Sequence, residues 1–303
     1  MIKVWHTISF YAFTVLTFPF KFMPLCWLYV ISDLMYVFIY KIFRYRVDVV
    51  RQNLKRSFPQ KTQKELKEIE HKFYSHFCDL FVEQFYILHA NAPRAKRLCS
   101  FKNLEQLDRY YNENKSIVVA GGHYGNWELY GLFGLFLKHH VFGAYKPLGN
   151  KYFERFVNAS RERFGALAVP MRDTPRTAMQ FAKDGKLFFL GLIADQTPAK
   201  GEIRYWTTFL NQDTPVFLGT EKIARKLNQP VFFCNMRKIK RGFYEVELEL
   251  LTENPAETQP YEITEMHVKA LERLINEAPE YWLWSHRRWK HSHNLTQSTN
   301  EQH

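Results

Sequence analysis

The chain has 303 residues, 46% of them hydrophobic and 17% aromatic, with a formal net charge of +12. That length suits one large α/β domain or two small ones, and that apolar content excludes a disordered chain. The four cysteines, Cys26, Cys78, Cys99 and Cys234, lie far apart with no CxxC pair, which excludes a disulfide framework and a cysteine zinc site.

Residues 8 to 43 are strongly apolar and aromatic. The stretch Ile8 to Phe20, with Pro19 near its end, is too short to span a bilayer well. The stretch Met23 to Phe43 meets the length of roughly 20 residues that a span needs. Asp33 near its middle opposes insertion by about 2.5–3.5 kcal/mol, so a clean single span is not the only reading. Residues 1–43 are therefore expected to be a membrane anchor or an interfacial hairpin. A secretory signal is not expected, because no small-x-small cleavage site follows. Lys41, Arg44, Arg46, Arg51, Lys55 and Arg56 come next, opposed only by Asp48. A basic flank of this kind places the following chain on the cytoplasmic side and attracts anionic headgroups, at about 1 kcal/mol per charge. Residues 44–292 form the expected main domain, and 293–303, rich in polar residues, a flexible tail.

Thr62-Gln63-Lys64-Glu65 carries a capping-box signature, and Leu66, Ile69, Phe73, Phe77, Leu80 and Phe81 follow at helical spacing. This predicts a long amphipathic helix to about His89 whose stripe packs into the core. From Ser116 the pattern becomes short apolar runs alternating with helical stretches. Strands are predicted at 116–120, 141–145, 166–169, 187–193 and 231–235, and helices at 151–164, 174–183, 219–227 and 263–275, with Thr174-Pro175 as cap and first position of the second. Residues 243–251 suit an antiparallel edge strand. The fold class expected is α/β, a mixed and mostly parallel sheet flanked by helices, with the hydrophobic helical segment at the N-terminus.

Ligands of open α/β sheets sit at the carboxyl ends of strands. Three predicted strands end in polar residues: one leads to Gly121-Gly122-His123, one to Tyr145-Lys146 and on to Asn150, one to Asp195-Gln196. His123 and Glu128 are about 500° apart on a continuous helix and would not share a face. They can meet if His123 lies in the glycine loop and Glu128 in the first turns of the next helix. The pair would then be a general base and the carboxylate that fixes its tautomer. The alternative for a lone histidine is a structural role; the glycine lead and the strand-end position favour the base. No serine or cysteine stands in a nucleophile motif, and the P-loop, dinucleotide and HExxH fingerprints are absent. The pattern favours direct transfer to a hydroxyl without a covalent enzyme intermediate.

The run His123 to Glu128 resembles the HX4(D/E) acyltransferases, specifically the bacterial lipid A biosynthesis acyltransferase family. Further blocks carry the likeness: Tyr45-Arg46, Asn53-Leu54 and Ser57-Phe58-Pro59; Tyr145-Lys146-Pro147-Leu148-Gly149-Asn150; Arg161, Arg163 and Gly165; Asp195-Gln196; and Pro279 to Lys290. They cover about residues 40 to 290. The resemblance implies transfer of a fatty acyl group from acyl carrier protein or coenzyme A to a hydroxyl of a lipid A precursor or a related glycolipid or lysolipid. It implies His123 as base, Glu128 as its partner, Asp195 as a second acid and Arg161 as a donor contact. No cofactor beyond the acyl thioester, no metal and no nucleic acid are expected, and the location implied is the inner membrane with the catalytic domain facing the cytoplasm. A planar guanidinium suits the phosphates of a carrier arm, so Arg161 and Arg163 are candidate donor contacts, as are Lys146 and Asn150. Arg287, Arg288 and Lys290 would either hold lipid phosphates or anchor the C-terminus by ion pairs. Lys146 stands where the family pattern has arginine, and Phe209-Leu210-Asn211 where many members have Phe-Phe-Gly. A non-catalytic lipid-binding protein of the same fold is the competing reading.

Overall fold

A computed structural model describes residues 2–291, so the expected tail lies outside the described residues. Two apolar helices come first, α1 (Ile2–Thr17) and α2 (Leu25–Tyr36), and α2 runs on as a π-helical turn through Val37–Ile42. They are followed by α3 (Val47–Ser57) and the 27-residue α4 (Gln63–His89). A short α5 (Ala92–Ala95) leads to β1 (Cys99–Lys102) and α6 (Glu105–Asn112). The alternating region then runs β2 (Ile117–Gly121), a 3-10 segment at Trp127–Leu135, β3 (His140–Tyr145), α7 (Lys151–Glu162), β4 (Ala166–Pro170), α8 (Thr174–Lys183) and β5 (Phe188–Ile193). A small hairpin, β6 (Trp206–Phe209) and β7 (Gln212–Pro215), precedes α9 (Gly219–Leu227), β8 (Val231–Lys240), β9 (Phe243–Thr252) and α10 (Glu262–Glu277).

The main sheet has seven strands in the order β1-β9-β8-β2-β5-β3-β4, and only β8 and β9 are antiparallel to one another. The expected mixed, mostly parallel sheet is what forms. β2 is buried along its whole length, as its unbroken apolar run requires in a sheet covered on both faces. β9 was expected at an edge, but β1 pairs parallel beyond it. β1 is a four-residue strand, Cys-Ser-Phe-Lys, too short to show a period in sequence.

The predicted start of α4 is confirmed in full. The Thr62 hydroxyl accepts from the Glu65 backbone N–H at 3.3 Å, and the Thr62 N–H donates to the Glu65 carboxylate at 2.7 Å. Leu66, Ile69 and Phe73 of its stripe are buried, whereas Phe81 is exposed, so the stripe leaves the core as the helix proceeds. Thr174 does not cap α8: Asp173 holds the cap position, and the Thr174 hydroxyl donates to the Pro170 carbonyl.

Leu25–Ile42 is long and apolar enough to cross a membrane by length and composition. One face of α2 is docked on the protein, with Leu28 and Ser32 buried, while Trp27, Val30, Leu34 and Phe38 are exposed. Asp33 is not an isolated charge, because Arg241 reaches it at 2.6 Å.

The two ends of the domain are tied together by backbone carbonyls. The Arg46 guanidinium donates to the Ser285 carbonyl at 2.9 Å. The buried Asn53 amide donates to the carbonyls of Trp284 and His286 at 2.8 and 3.0 Å. Removing Asn53 leaves the Trp284 carbonyl buried without its donor, and an unsatisfied buried group costs about 1–3 kcal/mol. Asn53→Ala is therefore expected to lower the thermal unfolding midpoint by several degrees, about 2–4 °C for each kcal/mol in a domain of this size. An unchanged midpoint would show that the tie is dispensable.

Candidate active site at the carboxyl rim of the sheet

β2 and β5 are hydrogen-bonded neighbours in parallel register, with Gly121 opposite Ile193. Two residues further along each chain stand His123 and Asp195. The register alone brings both side chains to one point of the rim. His123 Nδ1 lies 2.6 Å from Asp195 Oδ1, and the His123 backbone N–H donates to Oδ2 at 2.8 Å. The buried Trp282 indole N–H donates to the same Oδ2 at 2.8 Å. Gly122 makes this approach feasible. A Cβ there would stand 2.6 Å from a Leu271 methyl and 3.3 Å from Asp195 Oδ2.

Asp195 is buried, and burial by itself would raise its pKa. The adjacent imidazole and the hydrogen bonds from His123 and Trp282 overcome that cost and hold the carboxyl at about 2. Asp195 is thus an ionised acceptor at neutral pH. It fixes the His123 tautomer with the proton on Nδ1 and leaves Nε2 as the basic nitrogen. The Gln196 side-chain amide nitrogen sits 3.1 Å from that Nε2 and donates to its lone pair in this tautomer. The ring of Trp127 meets the imidazole edge to face at 5.1 Å, and the His123 side chain keeps 18% of its surface open.

The carboxylate paired with His123 was expected to be Glu128. The structure gives that contact to Asp195. Glu128 lies in the 3-10 segment, and its carboxylate is taken by Arg161: Nη2 donates at 2.9 and 3.0 Å and Nε at 3.3 Å. Glu128 and Arg161 form a partly exposed ion pair. Arg161 Nη1 makes no hydrogen bond among the described residues and remains available.

The other predicted contacts divide. Lys146 is exposed at the end of β3 and forms no ion pair among the described residues. Asn150 is the N-cap of α7: its side-chain oxygen accepts from the Tyr152 N–H, and its amide donates to the His6 carbonyl. Arg163 is turned away from the rim and donates to the carbonyls of Leu88 and Ala90, closing the end of α4. Arg287 is exposed, but Arg288 is 1% exposed and cannot meet a headgroup. It lines a small buried pocket with Asp195, His267 and Leu271, and its Nε and Nη1 have no partner among the described residues. Burial pushes Arg288 down to about 10, with Asp195 opposing, so it is still a cation at neutral pH. The carboxylate's charge is its counterpart.

Sequence reasoning assigned no role to Trp282, which is a direct partner of Asp195. Its block, Pro279 to Lys290, was visible as a motif, but nothing local said where it folds. The structure shows it laid along the His123 loop. The Leu283 N–H donates to the His123 carbonyl, the Gly125 N–H donates to the Tyr281 carbonyl, and Tyr124 forms a bridge with Trp282. Among the described residues, no group of three or more His, Cys, Asp or Glu is placed to hold a metal ion.

The site is an imidazole–carboxylate pair at the rim of a mostly parallel α/β sheet, beside an apolar helical flank, and the family whose model the chain matches makes its class an O-acyltransferase. Within that class the chain belongs to the bacterial lipid A biosynthesis acyltransferase family, whose model matches residues 2–291. It is similar to the lipid A biosynthesis palmitoleoyltransferase of Escherichia coli (strain K12), at 23% identity over 247 residues, covering 81% of this chain and 79% of the relative. A lipid A biosynthesis acyltransferase of Shigella flexneri matches to the same extent.

Two outcomes follow from the electrostatics. Asp195→Asn keeps the shape but no longer selects the tautomer, so transferase activity should fall by about 10²–10⁴-fold with a retained fold, read by initial rates and circular dichroism. Burial holds His267 and His286 down to about 4, against an ordinary 6.5. Between those values the unfolded chain binds protons that the folded one refuses. Stability should therefore fall as pH drops from about 6.5 toward 4, with no such contribution above 6.5. His267→Leu should flatten that acid limb in melting curves taken across the range.

Proposed function

We propose that this protein transfers a fatty acyl group from a thioester of acyl carrier protein or coenzyme A to a hydroxyl of a lipid A precursor or a related glycolipid, with His123 as general base. The observation that carries the reading is the 2.6 Å contact between His123 Nδ1 and the ionised Asp195, which directs the basic lone pair of Nε2 outward. The acceptor hydroxyl takes the place of the Gln196 amide at Nε2. Its proton passes to Nε2 as its oxygen attacks the thioester carbonyl carbon. The tetrahedral intermediate then collapses, the carbon–sulfur bond breaks, and the departing thiolate takes the proton back from the imidazolium. Atoms and charge balance, and no acyl-enzyme is needed. Arg161 keeps two of its nitrogens on Glu128 and offers Nη1 to a phosphate of the donor arm or of the acceptor headgroup. The name of the Escherichia coli relative supports a lipid A acceptor and a palmitoleoyl donor chain.

We further infer that the chain works on the inner membrane from its cytoplasmic side, with α2 lying in the interface rather than crossing it. Its Ser32 and Asp33 are bonded to Asp79 and Arg241 of the main domain, while its opposite face presents Trp27, Leu34 and Phe38. Lys41, Arg44 and Arg46 follow directly and suit anionic headgroups.

His123→Ala should reduce acyl transfer by at least about a hundredfold while vesicle binding persists. Residual activity above about a tenth of wild type would reject His123 as the base, because a general base contributes more than that. Donor choice is read by comparing palmitoleoyl thioesters of acyl carrier protein and of coenzyme A at equal concentration. Replacing Trp27, Leu34 and Phe38 together by serine should abolish co-sedimentation with anionic vesicles and leave the melting temperature almost unchanged. Undiminished binding would remove α2 from the membrane contact.

A further inference from the structure

Beneath the catalytic loop lies a buried polar network that the chemistry just described does not use. Its hub is Glu83 of α4, with no exposed surface. A carboxylate so placed is tolerated only when its oxygens are fully hydrogen-bonded. Tyr29 of α2 donates to Oε1 at 2.8 Å, and Tyr244 of β9 and the Asn126 amide each donate to Oε2 at 2.8 Å.

Asn126 links this hub to the active site. It occupies the N-cap position of the Trp127–Leu135 segment, where an asparagine ordinarily turns its oxygen onto the first free N–H groups. Here it makes no cap. Its amide points down to Glu83 instead. Its chain neighbours are the residues of the rim: His123 three positions earlier, Trp127 and Glu128 immediately after. Gly125 is pinned as well. Its carbonyl meets His76 Nε2 at 3.3 Å, its φ is +60°, and a Cβ would stand 2.9 Å from the Met236 sulfur. Two residues of the His123 loop, Gly125 and Asn126, are thus tied to α4 below it.

The same hub is completed from the apolar N-terminal hairpin. Besides Tyr29, α2 sends Ser32 to Asp79 at 2.8 Å, and Asp33 to Arg241, which also binds Asp79. Lys238 joins Asp79 to His76. The face of α2 opposite these groups is the exposed apolar one. One helix thus presents an apolar surface outward and a hydrogen bond to the support of the catalytic loop inward.

We propose that Glu83 is a positioning residue for acyl transfer, and that Tyr29 couples the seating of α2 to the geometry of His123 through Glu83 and Asn126. The proposal rests on the reading of His123 as the base.

The test uses the full chain in mixed detergent micelles, with palmitoleoyl acyl carrier protein and an under-acylated lipid A precursor as probes. Glu83→Gln keeps the volume but exchanges an acceptor oxygen for a donor, and is expected to lower kcat by about tenfold with KM within about twofold of wild type. Tyr29→Phe is expected to lower kcat by about threefold alone and to have no further effect in the Glu83→Gln background, because groups acting through one hub are not additive. A Glu83→Gln kcat within about twofold of wild type, or single effects that multiply in the double variant, would overturn the proposal. Should Glu83→Gln fail to fold, Tyr29→Phe and Asn126→Ala replace it: a double variant no slower than Asn126→Ala supports the coupling, and independent multiplication overturns it. His123→Ala runs alongside. If it stays active, the reading of the base fails; if it is inactive while Glu83→Gln is normal, only the positioning role fails.

Discussion

The pairing register of two adjacent strands is the constraint on which the site depends. Gly121 stands opposite Ile193, and two residues past that rung the imidazole of His123 meets the carboxylate of Asp195. A slip of one residue would turn every side chain of a strand to the other face, so the register must be over-determined. It is: both strands are apolar runs in the middle of the sheet, β2 buried throughout and β5 over Phe188 to Leu190, with β8 on one side and β3 on the other. A buried carboxylate is costly without partners. Asp195 has one imidazole, one backbone N–H and one indole, and these make its ionised form the stable one.

The rest of the molecule encloses that pair. The C-terminal block runs along the His123 loop and supplies Trp282, and it is itself held by Arg46 and Asn53 from the other end of the domain. Segments almost 240 residues apart thus form one support. The buried Arg288 adds a cation behind Asp195, within a pocket walled by Leu271, Val268 and Phe209. The Glu128–Arg161 pair is a separate, partly exposed unit.

Much of this was legible in the residues. The capping box, the long helix after it and the alternation of strands and helices follow from local propensity and period, and all of them form. His123, Lys146 and Asp195 were found because parallel strands present ligands at their carboxyl ends, and Glu128 by its spacing from His123. What failed was partner choice. Glu128 is close to His123 in sequence, yet the 3-10 path after Asn126 carries it to Arg161, and the carboxylate that meets His123 lies 72 residues later, just past the end of β5. Arg163, Asn150 and Arg288 were assigned to ligands by charge or motif, whereas the fold spends them on carbonyls, a helix cap and the interior.

By itself the sequence determined the class of each element, the apolar helical start, the family and the chemical kinds of residue at the rim. Those depend on interactions within a few residues along the chain, or on motifs that need no coordinates. Only the tertiary structure decided that Asp195 rather than Glu128 meets His123, that Trp282 completes the carboxylate, and that Asn126 hangs from Glu83. Each of these joins residues separated by at least 43 positions, through strand order and helix docking that no local pattern encodes.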